Sequence, residues 1–470
     1  MFEQKPWGTL RAMRSALVIR GHRFDGRRRL IVCAVASFLM SAACTETTEP
    51  SSGASQASSA SDTTTEQSGQ TACAERFERR DAGSGLAWRL AGDLPVTAPV
   101  VAGSTVLFGA NGALAGDGCV GAIAVDTGDV RWTADDAIDP YTLPVSLGDV
   151  TVAAVDNGRF TGYETASGRV MWATDSAGAP GATPGVDDGL VFVESGSVVR
   201  ALDPADGKEK WSFTVEGQLT AGAMDHDLVV VSAVTDGPVE TYGLDRVTGV
   251  QRFRTDVGST SSTIWAMTAS SVVVMNAPNT LYGLDRAGNQ QWELNVPGDQ
   301  NGEPVVDGDE IYFTANDYGL YAVNARTGEV DWVDKLSSFT GGASLLADGL
   351  VITFAGFFDP ATVPAVVGVD ARTGEERWRV PLSGSPHSVD AGTEPLEVNG
   401  TLYVGFGTID GRGGVIAIDP RKGELSGAQP LAHKIQRTLA SDGSRLFVRA
   451  GDTSIGAITL PLAAPTQQPP

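Results

Sequence analysis

Tryptophan recurs along this chain at nearly constant intervals. Trp88, Trp132, Trp172, Trp211, Trp292, Trp332 and Trp378 are joined by Phe253, which fills the one gap, so the spacings are 44, 40, 39, 42, 39, 40 and 46 residues. A unit of about 40 residues is too small to bury a core alone and must stack on its neighbours. The same short word precedes each aromatic residue. One copy has Asn324, Thr327-Gly328 and Trp332. Others have Gly368, Asp370, Thr373-Gly374 and Trp378; Ala201, Asp203, Asp206-Gly207 and Trp211; and Gly243, Asp245, Thr248-Gly249 and Phe253.

The chemistry of that word is readable. An apolar run ends at an Asp or Asn whose short side chain can accept from the backbone just ahead of it. A Gly then supplies the positive φ of a tight turn, and the next run carries a large ring. A second hairpin lies upstream in each unit, as at 304–313 and 185–192. Four short strands per 40 residues is the period of a propeller blade. Apolar residues come in runs of three to six broken by Gly and Asp, without a helical stripe, which disfavours a helical solenoid. The 57 glycines, well above the usual share, suit a turn-rich fold.

The repeated Ala/Gly-x-Asp-x-x-Thr-Gly-x-x-x-Trp word resembles the tryptophan-docking repeat of the quinoprotein, or PQQ-like, β-propellers, a group that includes quinone-dependent dehydrogenases and BamB-type envelope lipoproteins. The resemblance spans residues 85–460 and implies an all-β ring of four-stranded blades. Eight blades are the family norm, whereas nine strand groups can be counted, beginning near Val96, Thr142, Ala182, Leu219, Ser262, Gly302, Gly342, Glu394 and Ile435. The ninth has three strands of its own. The strand at 85–90, with Trp88, is expected to supply its fourth and close the ring, which hides the sheet edges. Gly128 stands two residues too early after Asp126, Gly288 one residue early, and the unit at Asp419–Gly423 lacks a Trp.

The ends of the chain read differently. Residues 1–43 hold eight Lys/Arg and two acids, while the remainder holds 26 against 55, a net −29. Arg27–Arg29, an apolar run to Met40, and small residues before Cys44 are the parts of a secretory signal, too short to span a bilayer. Ala43-Cys44 resembles a bacterial lipobox with Ser41 where Leu is usual; ordinary cleavage with an incidental Cys44 is the alternative. Residues 45–71 lack any aromatic side chain and cannot bury enough apolar surface to fold. The expected organisation is a signal peptide at 1–43, a lipid-anchored linker at 44–72, a propeller at 73–461 and a disordered tail at 462–470. Cys73 and Cys119, in an exported chain, are expected to form a disulfide near the ring closure, with two independent thiols as the alternative.

No catalytic centre stands out. The resemblance associates quinone chemistry with an adjacent cysteine pair, and the chain has none. Asp187-Asp188, Asp225-His226-Asp227 and Asp307-Gly-Asp309 sit where turns are expected, not in a calcium loop. His226, His387 and His433 lack metal-ligand spacing, no nucleophile elbow is present, and Trp265 falls out of register with the docking set. The acidic balance argues against nucleic acid as a partner. Three connections look enlarged, at 110–121, 355–365 and 406–414, and all belong to one sector of the ring. The middle one, with Phe354, Phe357 and Phe358, reads as an apolar partner-contact loop. The sequence thus points to a monomeric, lipid-anchored propeller on the outer face of the cell membrane. It binds envelope or extracellular proteins, with no cofactor, no metal and no catalysis. A PQQ-dependent sugar or alcohol dehydrogenase and a ligand sensor using the central channel are the rival readings.

Overall fold

A computed structural model describes residues 73–464, apart from 84, 113–116, 139–141, 156–157, 175–182, 188, 236, 259–261, 277–278, 298–299, 316–318, 337–343, 357–361, 383–388 and 436–437. The signal, the linker and Cys44 lie outside the described residues. Within them the chain forms nine separate antiparallel sheets. Blades 1 to 8 occupy 100–134, 145–173, 185–214, 218–256, 262–295, 300–335, 345–381 and 389–431 in chain order. In each the first strand is innermost and the last outermost. First strands adjoin one another between blades 2 and 3, 4 and 5, 5 and 6, 6 and 7, and 9 and 1. The nine units counted from the residues are therefore all blades, one more than the family norm.

Blade 9 is assembled from both ends of the chain. Its inner strands are Ala440–Ser441, Arg445–Arg449 and Ser454–Thr459, and its fourth is Trp88–Gly92, with Trp88 opposite Ala457 and Leu90 opposite Ile455. The expected closure is present. A fifth strand, Phe77–Arg80, lies outside it, with Phe77 opposite Gly92. Cys73 and Cys119 form a disulfide with a Cα–Cα distance of 6.2 Å. Cys119 stands on the strand Gly118–Ala124, not in a long loop. The ties around it are dense: the Cys73 N–H donates to Asp135 Oδ1 at 3.1 Å, and Arg76 bonds both Asp93 and Asp117.

The docking word works between blades. Each Trp indole N–H donates to a backbone carbonyl of the following blade: Trp88 to Val125, Trp132 to Thr165, Trp172 to Pro204, Trp211 to Arg246, Trp292 to Ala325, Trp332 to Ala371 and Trp378 to Pro420, at 2.7 to 3.0 Å. The ring lies on the turn glycine of that same blade, so Trp88 covers Gly128 and Trp332 covers Gly374. Those glycines have φ of 73° and 74°, and a Cβ would overlap the indole. A non-glycine residue fails there twice, by backbone strain and by contact. Phe253 covers Gly288 but has no N–H to donate; Thr255 Oγ1 donates to the Gly288 carbonyl instead, at 2.6 Å.

The irregular copies resolve cleanly. In blade 1 the turn runs from Ala124, whose carbonyl accepts from the Gly128 N–H, so Gly128 is in register and Asp126 is not the capping residue. Asp126 pairs with Arg445 of blade 9 at 3.0 Å. The turn at Gly288 is one residue shorter, closing on Asp285, and still seats Phe253. Trp265 is a core residue, 4% exposed, edge-on to Phe313 of blade 6 at 4.6 Å. The expected tail is ordered at its start: Leu462 is 7% exposed and packs with Leu396, Leu431 and Ile458.

Candidate functional site

Antiparallel blades put their first and third turns on one rim, and the connections between second and third strands on the other. The first rim is a set of ionic clasps. Arg286 of blade 5 grips Asp225 of blade 4 through both guanidinium arms, at 2.6 and 2.9 Å, and Asp225 also accepts from the N–H groups of Asp227 and Leu228. Burial works to raise this carboxyl, but the Arg286 bonds and the two N–H donors override it and hold it below the ordinary carboxylate range. Arg246 of blade 4 reaches Asp187 of blade 3 at 3.4 Å, and Arg326 pairs with Asp309 at 2.6 Å. Asp309 also accepts from Thr268 and Ser270 of blade 5. Asp188 lies outside the described residues. The acidic pairs are thus turn and junction residues. Among the described residues no group of three or more His, Cys, Asp or Glu is placed to hold a metal ion. His226 contacts Asp227 at 3.3 Å, burial and Arg89 lower the basicity of His433, and His387 is outside the described residues.

The opposite rim carries the three connections singled out from the sequence, and their true extents are 112–117, 356–364 and 409–412. They belong to blades 1, 7 and 8. The strands continue further than their composition suggests, so two phenylalanines read as loop residues are core. Phe354 lies on the strand Leu350–Ala355, which is buried throughout, and is 1% exposed; Phe406 is 3% exposed in the same cluster between blades 7 and 8. Phe354 is therefore not a surface contact. Phe357 and Phe358 lie outside the described residues. Among the described residues, the large apolar side chain exposed on this rim is Ile409, 59% exposed at the tip of the blade 8 connection, beside the Asp410–Arg412 ion pair at 2.6 Å. Lys434, from the connection into blade 9, packs its stem on Gly407 and donates its N–H to the Gly411 carbonyl, extending this surface toward blade 9.

The inner wall holds a feature that sequence reading missed. Glu303 stands on the innermost strand of blade 6, Gln300–Asp307, and Glu394 at the equivalent place before the strand Leu396–Val398 of blade 8. The signal was present: both glutamates directly precede a proline, Pro304 and Pro395, and stand seven residues before the strands Glu310–Ala315 and Thr401–Thr408. Burial first, and the charge of Glu394 second, push the Glu303 carboxyl up to about 8. The charge of Glu394 is felt at Glu303 although the two residues belong to blades two apart. A raised acid favours the fold below its unfolded value near 4.5 and loses that contribution as pH rises through about 8. Glu303→Gln is therefore expected to raise Tm at pH 9 by about 2 °C or more while leaving Tm at pH 5 unchanged. Equal shifts in a thermal melt at both pH values would contradict this.

The cysteines do not form the pattern that the resemblance associates with quinone chemistry. The chain lacks a vicinal cysteine pair, and both described cysteines are joined to each other across 46 positions at the outer part of the ring closure.

Comparison with known proteins places this geometry. The chain is 30% identical over 151 residues to a polyvinylalcohol dehydrogenase of a Pseudomonas species, covering 29% of this chain and 23% of that protein. It thus spans about a quarter or less of the length of the polyvinylalcohol dehydrogenases it matches. It is 24% identical over 359 residues to the outer membrane protein assembly factor BamB of Moranella endobia, covering 73% of this chain and 80% of that one. Among solved structures, BamB from Moraxella catarrhalis aligns at 19% identity and a TM-score of 0.48, over 68% of this chain and 96% of the other. A family model described as outer membrane protein assembly factor BamB matches residues 116–232, 194–348 and 364–460, well over half of the sequence. With its nine docked blades, the chain belongs to that family of PQQ-like β-propellers.

Proposed function

We propose that this protein is an exported, lipid-anchored scaffold, held at the outer face of the cell membrane through Cys44, which binds other envelope or extracellular proteins and catalyses nothing. One observation carries the reading. The chain aligns with 80% of the length of an assembly factor but with only 23% of a polyvinylalcohol dehydrogenase. What it shares with the enzyme is a stretch of 151 residues; what it shares with the assembly factor extends over 359. The binding surface is the rim bearing Ile409, Arg412 and Lys434, where connections of unequal length interrupt an otherwise regular ring. An exposed aliphatic side chain ringed by charge on a rigid scaffold suits protein recognition.

The experiment is chemical cross-linking in native membranes, comparing the wild type with Ile409→Asp and with a variant whose 356–364 connection is shortened. Partners captured by the wild type are expected to be lost from the variants at unchanged Tm, and Cys44→Ser is expected to leave the detergent phase. An unchanged partner set would overturn the rim assignment. The dehydrogenase reading rests on the 30% identity to the Pseudomonas enzyme. Stoichiometric binding of pyrroloquinoline quinone with calcium, together with dye reduction, would establish it in place of the scaffold.

A further inference from the structure

Eight of the nine junctions between blades are filled by the ring-on-glycine pair; the junction between blades 8 and 9 is filled by another means. The docking position lies four residues after the turn glycine, and after Gly423 that position is Gly427. The reason is topological. In blade 9 the third strand, Ser454–Thr459, and the fourth, Trp88–Gly92, come from opposite ends of the chain, so no turn joins them and no turn glycine exists for a tryptophan to cover. Ring and glycine are lost together.

The chain's own C-terminal segment occupies the vacated place. Leu462 stands over Gly427, so that a Cβ there would lie 2.7 Å from Leu462 Cβ. Two backbone bonds from different blades hold the segment. The Leu460 N–H donates to the Ser444 carbonyl of blade 9 at 2.9 Å, and the Ala463 carbonyl accepts from the Ala428 N–H of blade 8 at 3.0 Å. Ala428 lies on the outermost strand of its blade, Glu424–Leu431, so this bond uses an edge donor that the sheet leaves free. Leu86 and Leu460 pack beside Leu462 against the core cluster shared by the two blades. An extended segment held by main-chain bonds at a sheet edge, with one apolar side chain in a hollow, is the way sheet edges take peptides.

We propose that the seam between blades 8 and 9 is a peptide-binding groove whose ligand is this chain's own segment 460–463, with Leu462 as anchor. Every other docking side chain belongs to a strand of its blade. This one lies beyond the last strand, Ser454–Thr459, so it can leave without breaking a sheet. While attached it acts at an effective concentration on the order of mM, which shuts out a free peptide of ordinary affinity.

The test compares the full chain with a chain ending at Thr459, using a fluorescent peptide of residues 459–470 and its Leu462→Asp counterpart. The truncated chain is expected to bind the native peptide saturably and at least tenfold more tightly than the full chain does, and to bind the Leu462→Asp peptide at least tenfold more weakly. Equal binding by both chains, or indifference to the anchor, would overturn the proposal. Gly427→Leu in the full chain decides independently, should the truncated chain not fold. By filling the hollow it is expected to speed hydrogen exchange at the Leu460 amide at least tenfold with near-ultraviolet circular dichroism unchanged. Unchanged protection at Leu460 would overturn the groove.

Discussion

Replacing Trp88 with alanine is expected to destabilise the protein by about 3–5 kcal/mol, the range for deleting a buried large ring. Trp88 is 1% exposed and makes three connections at once. It donates to the Val125 carbonyl, covers Gly128 and lies against Phe447 at 5.9 Å. It also belongs to the strand that closes the ring non-covalently, so its loss weakens the junction on which all nine blades depend. Trp211, at 7% exposure with the same donor geometry toward Arg246, is the control within continuous chain. Urea unfolding of both variants should show Trp88→Ala with the lower midpoint. A Trp88→Ala loss under about 1 kcal/mol would show that Trp88 does not hold the closure.

The second large effect belongs to the disulfide. Cys73 and Cys119 are 46 residues apart, and closing a loop of that length removes unfolded-chain entropy worth about 4 kcal/mol at 25 °C. The Cys73→Ser/Cys119→Ser double variant should lose that stability. The loss should also appear locally, because the bond holds the segment that carries Phe77–Arg80 against blade 1. Hydrogen exchange in strands 77–80 and 88–92 is expected to accelerate ahead of blades 3 to 6. Uniform acceleration around the ring would contradict the local role, and an unchanged unfolding midpoint would contradict the energetic one.

Repetition made most of the fold legible. A single Thr-Gly-x-x-x-Trp word says little, but successive copies determine the strand order, the turn glycines and the closure by Trp88. The nine blades were countable because each carries its own upstream hairpin. What escaped was whatever occurs once. Phe77–Arg80 buries only Phe77, so its sequence shows no alternation to betray a strand. Leu462 lies in a short Pro- and Ala-rich end that carries no repeat word, and its place makes sense only once Gly427 is known to leave a hollow. Asp126 imitates the capping residue of its repeat while pairing with another blade. Phe354 looked like a loop residue because the run Phe354-Ala-Gly-Phe357-Phe358 gives no sign that the strand Leu350–Ala355 ends inside it. The rim carrying Ile409 was anticipated from loop length; the residue on it was not, because exposure of one aliphatic side chain is decided by packing that spacing does not report.

The disulfide has a mechanical consequence. A pull delivered through the chain preceding residue 73 arrives at Cys73 and crosses directly into Cys119 on blade 1. The stretch from 73 to 119, which contains the closing strand Trp88–Gly92, lies inside the covalent loop and carries almost none of that tension. In the reduced chain the same pull would load the fifth strand and then the fourth, peeling open the seam that completes the ring. For a propeller tethered by its N-terminal side, the bond reroutes tension around its most vulnerable strand.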